Sequence, residues 1–242
     1  MTVAKKIEAQ LQNIPEGTPF RYEDLLIESS EYEAAAKSIG RFVNAGTLKR
    51  ATKGVFYKPK QTIFGTVAPT DDALIRQYLF KNGRRIAYVT GASLYNQMGL
   101  TTQVPFTIVV ATKTRRSEVV IGKVKIKPIR SYADVTNENY KLLEILDALK
   151  DFKIIPDINR MSAITILKNK IQELSTDQIR NLIECALNYP PRTKALLGAI
   201  LEIGADNSLD LTTLRKSFSP LSRYDMGITT NILPNAAKWN LI

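Results

Sequence analysis

The side chains in this 242-residue sequence whose types and spacing could do chemistry are mostly basic, and many lie in one short segment. Seven lysines and arginines fall between Lys37 and Lys60, and no aspartate or glutamate does. Lys37, Arg41 and Asn44 recur at helical spacing, so we expect them on one face of a helix. On such a face arginine and asparagine can hydrogen-bond base edges in a DNA major groove, and lysine suits a phosphate. This pattern predicts contact with a nucleic acid.

A basic β-hairpin is predicted directly after that helix. Residues 48–52 and 55–58 are typical of two short strands, joined by a tight turn at Lys53-Gly54. We expect the cations of this hairpin to contact the DNA backbone or the minor groove. They are Lys49, Arg50, Lys53 and Lys58.

The first sixty residues must position these side chains. Ile7, Leu11 and Ile14 follow a helical repeat, and similar patterns predict helices at 2–13, about 23–26 and 30–46. Three short helices followed by a basic hairpin are typical of a winged helix-turn-helix, whose third helix enters the major groove. A winged helix that contacts proteins, with its charges facing solvent, would show the same pattern, and this alternative stays open.

Several function classes are excluded by composition. Histidine is absent, and Cys185 is the single cysteine. Ser-His-Asp and Cys-His catalysis need an imidazole, as do Cys₂His₂ zinc sites. One cysteine can form neither an internal disulfide nor a four-cysteine cluster. With no Gly-rich phosphate loop and no carboxylates at metal-ligand spacing, we expect no catalytic residue, no metal and no cofactor. The sequence predicts that the protein is not an enzyme.

The formal net charge of +11 is distributed unevenly along the chain. Residues 1–36 carry −4, residues 37–130 carry +15, and residues 131–242 are neutral. A strongly basic part beside a neutral one indicates one surface for a polyanion and a second part with another task. Together with the helix and strand patterns, this predicts an α+β protein of three parts. They are a winged helix-turn-helix at 1–60, a basic α+β unit at 61–130 and a mainly helical domain at 131–242.

The middle part supplies further candidate phosphate contacts. A loop after a predicted strand at 106–111 and a hairpin turn at 122–123 carry four cations, Lys113, Arg115, Arg116 and Lys123. Lysines at 123, 125 and 127 also alternate on one strand face. They could extend a phosphate-binding surface, but an edge strand that lysines protect from aggregation would look the same. Both interpretations stay open.

The last part is predicted to be helical. Leucines at 142, 143, 146 and 149 form one helix face, and further helices are expected at 158–174, 176–187 and 192–204. The apolar segment 163–167 could equally be a strand. Residues 219–242 contain prolines and glycine and are expected to be irregular, held in place by Tyr224, Leu233 and Trp239.

No membrane segment is expected. In the longest uncharged stretch, residues 86–112, twelve of the 27 residues are glycine, proline or polar, and Pro105 would interrupt a helix. The N-terminal residues lack the apolar stretch of a signal peptide. We therefore expect a cytoplasmic protein.

Three segments carry a resemblance to a known family. The first is 51–59, with Gly54-Val55-Phe56-Tyr57-Lys58-Pro59 on the predicted wing. The second, and the most specific, is 90–105, which opens with Thr90-Gly91 and closes with Gly99-Leu100-Thr101-Thr102-Gln103-Val104-Pro105. The third is 233–239, Leu233-Pro234-Asn235-Ala236-Ala237-Lys238-Trp239. On these residues the sequence resembles the AbiEi-type antitoxin family of transcriptional regulators, from bacterial abortive-infection toxin–antitoxin systems.

The resemblance implies an N-terminal winged helix that binds double-stranded DNA at its own promoter and represses the toxin–antitoxin operon. It also implies a C-terminal part that counters a nucleotidyltransferase toxin encoded next door, often without stable contact, as in type IV systems. A homodimer or cooperative binding on DNA is compatible with this picture, and the sequence does not select an oligomeric state.

Two other functions remain open at this point. The chain could be a protein-interaction module that directly sequesters a toxin or an enzyme subunit. It could also bind RNA through the basic loop of its middle part.

Overall fold

The computed structural model describes residues 2–63, 65–114, 117–121, 124–204 and 210–242. They form a mixed α+β fold, as predicted. The α-helices are α1 (Val3–Asn13), α2 (Tyr32–Asn44), α3 (Asp71–Leu79), α4 (Ala92–Gln97), α5 (Tyr140–Asp151), α6 (Arg160–Gln172), α7 (Thr176–Ala186), α8 (Pro191–Gly204) and α9 (Thr212–Lys216). Short 3₁₀ helices lie at Tyr22–Asp24, Ser29–Glu31, Phe152–Ile154 and Ala237–Trp239.

The strands are short. They are β1 (Pro19–Arg21), β2 (Lys49–Thr52), β3 (Val55–Tyr57), β4 (Lys60–Thr62), β5 (Gly65–Val67), β6 (Phe80–Lys81), β7 (Arg84–Arg85), β8 (Ala87–Thr90), β9 (Thr107–Thr112), β10 (Val119–Ile121) and β11 (Val124–Arg130).

The chain forms two compact units. The first comprises Met1–Ile86 and Glu118–Ile126, and the second comprises Ala87–Ser117 and Lys127–Ile242. The units therefore divide residues 61–130 between them, and a separate role for that part stays a prediction.

The core of the first unit lies between α1, α2 and a three-stranded antiparallel sheet with the order β1–β3–β2. Each helix buries one apolar face because its apolar residues recur at helical spacing, as Ile7 and Leu11 do on α1 and Ala35 and Ile39 do on α2. Each large aliphatic side chain that is fully buried stabilises the fold by about 1.5–3 kcal/mol. In the sheet, Phe20 of β1 lies opposite Phe56 of β3.

The first unit also contains short hairpins. Three antiparallel pairs form: β4 with β5, β6 with β7, and β10 with β11. The β6–β7 turn is Asn82-Gly83, and both residues have positive φ, near 50° and 74°. Asparagine and glycine tolerate this conformation, which a two-residue hairpin turn requires.

The second unit is built on helices, with α5 and α8 at its centre. Helix α5 packs on α7 and α8, and α8 also packs on α6 and α9. Strands β8 and β9 pair side by side, with the end of β11 next to β9.

Helix α6 resolves an alternative that the sequence left open. Residues 163–167 are helical, so the strand interpretation of that segment is wrong. The Asn159 side chain accepts a hydrogen bond from the Ser162 N–H at 3.1 Å, which caps the start of α6. Four side chains are then buried at helical spacing, Ala163, Ile164, Leu167 and Ile171.

The C-terminal segment is irregular apart from one 3₁₀ turn, and it is anchored on α8. The Trp239 indole is buried against Gly198, where a Cβ would overlap the ring. The Glu202 carboxylate accepts hydrogen bonds from Trp239 Nε1 at 2.9 Å and from Asn235 Nδ2 at 2.8 Å, and it also pairs with Lys238. Leu233 and Trp239 are buried in the core of the second unit, and Tyr224 packs against it partly buried, so all three hold the segment as predicted.

No helix in the described part of the chain is long and apolar enough to cross a bilayer.

Candidate nucleic-acid interface

Helix α2 carries the predicted base-reading and phosphate-binding side chains on its solvent side. Ala35, Ser38 and Ile39 are buried. The side chains of Lys37, Arg41 and Asn44 are exposed. Within the described residues, none of these three is engaged in a hydrogen bond or an ion pair. Their polar groups are therefore available to a ligand.

The turn after α2 fixes the start of the hairpin. Gly46 adopts a positive φ of 77°, and its N–H donates to the Val43 carbonyl at 3.1 Å. Glycine is favoured here because its lack of a Cβ permits this left-handed conformation at a helix end. The N–H of the buried Leu48 then donates to the Phe42 carbonyl at 3.1 Å, which ties β2 to α2.

The β2–β3 hairpin presents three of its predicted cations to solvent. Lys49 and Arg50 are exposed on β2, and Lys53 is exposed in the turn beside Gly54, whose φ is 75°. The Arg50 guanidinium lies 5.6 Å from the Phe56 ring centroid. This cation–π contact contributes about 0.5–1 kcal/mol at an exposed site and restrains the arginine on the strand.

Lys58 differs from the other predicted wing cations because the fold engages its ammonium. It is half-buried, and its Nζ donates to the carbonyl oxygen of Leu11 at 2.9 Å. Leu11 lies in the last turn of α1, where the helix dipole favours a cation, and its carbonyl also accepts from the Ile14 N–H at 3.2 Å. We define the α2–hairpin surface as the exposed residues Lys37, Arg41, Asn44, Lys49, Arg50 and Lys53.

Among the remaining candidate phosphate contacts, the structure describes Lys113. Lys113 is exposed after β9, in the second unit. Arg115, Arg116 and Lys123 lie outside the described residues. Lys125 forms an ion pair with Glu118 at 2.6 Å.

A buried polar cluster in the second unit went unnoticed in the sequence. The Asp147 carboxylate is 1% exposed, and its Oδ2 accepts from Tyr88 at 2.9 Å and from Thr90 at 2.7 Å. Its Oδ1 accepts from Tyr189 at 3.2 Å and pairs with Lys150 at 3.2 Å. The sequence signal for this cluster was Asp147 itself, an acidic residue that the helical repeat places among the buried leucines of α5.

The electrostatics of this cluster indicate a structural role. Burial, together with the Asp147 charge, raises the pKa of Tyr88 and Tyr189 well above the usual value, so both hydroxyls stay protonated donors. Burial alone would lower the pKa of Lys150, but the charges of Asp147 and Asp151 outweigh it and hold this pKa above its usual value. The cluster satisfies its buried charges internally and joins β8, α5 and the turn between α7 and α8, where Tyr189 lies.

Comparison with known proteins places the chain in a family. Residues 6–184 match the model of DUF6088, which is described as a family of unknown function. The chain belongs to the DUF6088 family. No curated protein sequence matches this DUF6088 chain. The resemblance to AbiEi-type antitoxins stays a prediction.

Among solved structures, the DUF6088 chain is similar to the RV2827C protein from Mycobacterium tuberculosis. The two chains share 12% identity with a TM-score of 0.46, over 92% of this chain and 84% of the other. This likeness is too distant to carry an argument. In the described residues, no three cysteine, aspartate or glutamate side chains group as metal ligands.

Proposed function

We propose that this DUF6088 protein is a sequence-specific, double-stranded DNA-binding transcriptional regulator with a winged helix-turn-helix at residues 1–60. The order of its elements supports the proposal: α1, β1, two 3₁₀ turns, α2, then the β2–β3 hairpin. The first 3₁₀ turn, Tyr22–Asp24, stands where the sequence predicted a helix at about 23–26, so that prediction is corrected to a single turn. Strand β1 pairs with β3, so the hairpin is held to the helices by the sheet. In this arrangement α2 is the recognition helix and the hairpin is the wing.

The observation that carries the proposal is the charge of the α2–hairpin surface. Five cations are exposed there, and none forms an ion pair with a carboxylate within the described residues. Cations without internal partners can neutralise the phosphates of a nucleic acid and so release the counterions condensed on it. Such a surface therefore favours a polyanion. Arg41 and Asn44 are the side chains that suit base edges, and Lys37, Lys49 and Lys53 suit the backbone.

The biological role follows from the family resemblance. We propose an autoregulating antitoxin of a type IV toxin–antitoxin system, which represses its own operon and counters a neighbouring nucleotidyltransferase toxin in the bacterial cytoplasm. The proposal assigns no catalytic activity and no cofactor to the chain.

The DNA-binding proposal is tested with the duplex upstream of the protein's own gene. We expect the full chain to bind this duplex more tightly than a scrambled duplex of equal length, in a fluorescence anisotropy titration at physiological salt. The Lys49→Ala/Lys53→Ala variant should weaken both complexes. Lys5→Ala removes an exposed cation on α1 and serves as the matched control, with unchanged binding expected.

Two outcomes would contradict the proposal. Equal affinity for the upstream and scrambled duplexes would exclude sequence-specific binding. A structured RNA such as tRNA that displaces the duplex efficiently would favour RNA as the ligand. The antitoxin role is tested separately, by co-expression with the neighbouring gene. The chain should rescue growth from the toxicity of that gene product. A complex of the two proteins that survives high salt would instead favour direct sequestration.

A further inference from the structure

A cleft in the second unit holds two cations from separate chain segments. Its volume is about 370 Å³, and Lys113, Arg130, Ser131 and Tyr132 line it. The backbone brings them together because the Ser131 N–H donates to the Thr112 carbonyl at 3.0 Å. Thr112 and Ser131 are buried, whereas their chain neighbours Lys113 and Arg130 are exposed. The two segments thus direct two cations to one concave surface.

The charges of this cleft favour an anion. Among the described residues that line it, none carries a carboxylate. Neither Lys113 nor Arg130 forms an ion pair within the described part of the chain. Two neighbouring cations repel each other, and an anion between them would replace that repulsion with attraction. A phosphate suits the pair well because the planar guanidinium of an arginine can donate two parallel hydrogen bonds to it.

The wall of the cleft is aromatic and rigidly supported. Tyr132 is 39% exposed, and its ring stacks on Tyr189 with the centroids 4.5 Å apart. The Lys150 ammonium lies 5.4 Å from the Tyr132 centroid. Tyr189 and Lys150 are both bound to the buried Asp147 carboxylate. The Asp147 cluster therefore fixes Tyr132 in place before any ligand arrives, which lowers the entropic cost of binding.

The size of the cleft indicates a ligand larger than a phosphate ion. Pockets for small organic ligands occupy about 300–1,000 Å³, and this cleft falls in that range. A ligand with a phosphate at one end and an apolar, planar group at the other would match the two cations and the tyrosine.

We propose that this cleft binds a nucleotide. Lys113 and Arg130 hold its phosphate, and the exposed part of the Tyr132 ring lies against its sugar or base. The nucleotide is either free or one residue of a single-stranded RNA, because both present the same chemistry. The cleft shares no residue with the α2–hairpin surface, so the proposal does not depend on DNA binding there.

Isothermal titration calorimetry on the full chain tests the proposal. The probes are ATP, AMP, inorganic phosphate and a short single-stranded oligoribonucleotide. We expect saturable binding of a free nucleotide or of the oligoribonucleotide, and whichever binds identifies the source. The Lys113→Ala/Arg130→Ala variant should weaken this binding about tenfold or more. Tyr132→Leu should weaken nucleotide binding without changing phosphate binding.

The control is Arg192→Ala, which removes an exposed cation of the second unit that does not line the cleft. It should leave nucleotide affinity unchanged, and thermal unfolding should show that each variant stays folded. The proposal is overturned if no probe binds at millimolar concentration, or if the double variant binds as the wild type does. Phosphate binding as tight as nucleotide binding would also overturn it, because the cleft would then be a plain anion site.

Discussion

Arg41 is the residue on which sequence-specific binding rests most heavily. Its side chain is exposed on the last turn of α2 and forms no internal ion pair in the described residues. Replacing it by alanine should therefore cost the fold at most about 0.5 kcal/mol, from the lost interaction with the helix dipole. A larger effect on DNA binding must then come from the DNA contact itself.

The expected magnitude follows from the contact that the position allows. A bidentate arginine–guanine pair is worth about 1–3 kcal/mol of discrimination, which is a factor of about 5–150 in the affinity ratio of operator to random DNA. Arg41→Ala should reduce that ratio by this factor. Arg41→Lys keeps the charge but loses the bidentate geometry, so it should reduce the ratio while retaining most of the affinity for random DNA.

The assay is a pair of anisotropy titrations, with operator and random duplexes at one salt concentration, alongside urea unfolding of each variant. Lys53→Ala is the comparison. Loss of a phosphate contact should weaken binding to both duplexes by the same factor and leave the operator-to-random affinity ratio unchanged. The reasoning is refuted if Arg41→Ala weakens operator and random DNA equally, or if Lys53→Ala changes the ratio as much as Arg41→Ala does.

Three further predictions concern the fold. Lys58→Met should lower the free energy of unfolding by about 1 kcal/mol, because the Leu11 carbonyl loses one of its two donors and keeps the Ile14 N–H. It should change DNA affinity less than Lys53→Ala does, and an unchanged stability with a DNA defect like that of Lys53→Ala would contradict this. Gly198→Ala should destabilise the fold by about 1–3 kcal/mol because its Cβ meets the Trp239 ring. Gly40→Ala, with open space around it in α2, should stabilise the fold by about 0.5–1 kcal/mol. Urea unfolding measures both effects, and equal effects would count against the packing argument. Burial would raise the pKa of Glu202, but hydrogen bonds from Lys238, Asn235 and Trp239 outweigh it and lower this pKa. The ionised Glu202 therefore stabilises the fold fully above the unfolded pKa of about 4.3, and this stabilisation is lost as the pH falls through the lower folded-state pKa. Unfolding measured from neutral to acid pH should show a smaller loss for Glu202→Gln than for the wild type, and parallel losses would contradict the assignment.

The sequence predicted the elements whose signals are local. Helix α1 was visible from the spacing of Ile7 and Leu11, and the β2–β3 hairpin from its strand residues around Lys53-Gly54. The exposed positions of Lys37, Arg41 and Asn44 follow from the same helical repeat. These features depend on neighbours within one or two turns, so a single segment contains the information.

The elements that went unpredicted depend on distant partners. Strand β1 has three residues, too few for a period, and it is a strand because β3 pairs with it. The partner of Lys58 is the end of α1, 47 residues away in sequence, so its role could not be seen in the hairpin alone. The partners of Asp147 likewise come from other elements, at Tyr88, Thr90 and Tyr189. Tertiary contacts of this kind leave no local periodicity.

The central claim is that the α2–hairpin surface binds DNA through its five exposed cations. The most direct measurement is the salt dependence of DNA affinity for the wild type and for a variant with Lys37, Arg41, Lys49, Arg50 and Lys53 all replaced by alanine. At about 0.9 per neutralised phosphate, five contacts predict a slope of log K against log salt near −4.5 for each wild-type chain bound. The variant should show a slope near zero with its fold intact. A variant slope equal to that of the wild type would show that the DNA binds elsewhere and would contradict the account.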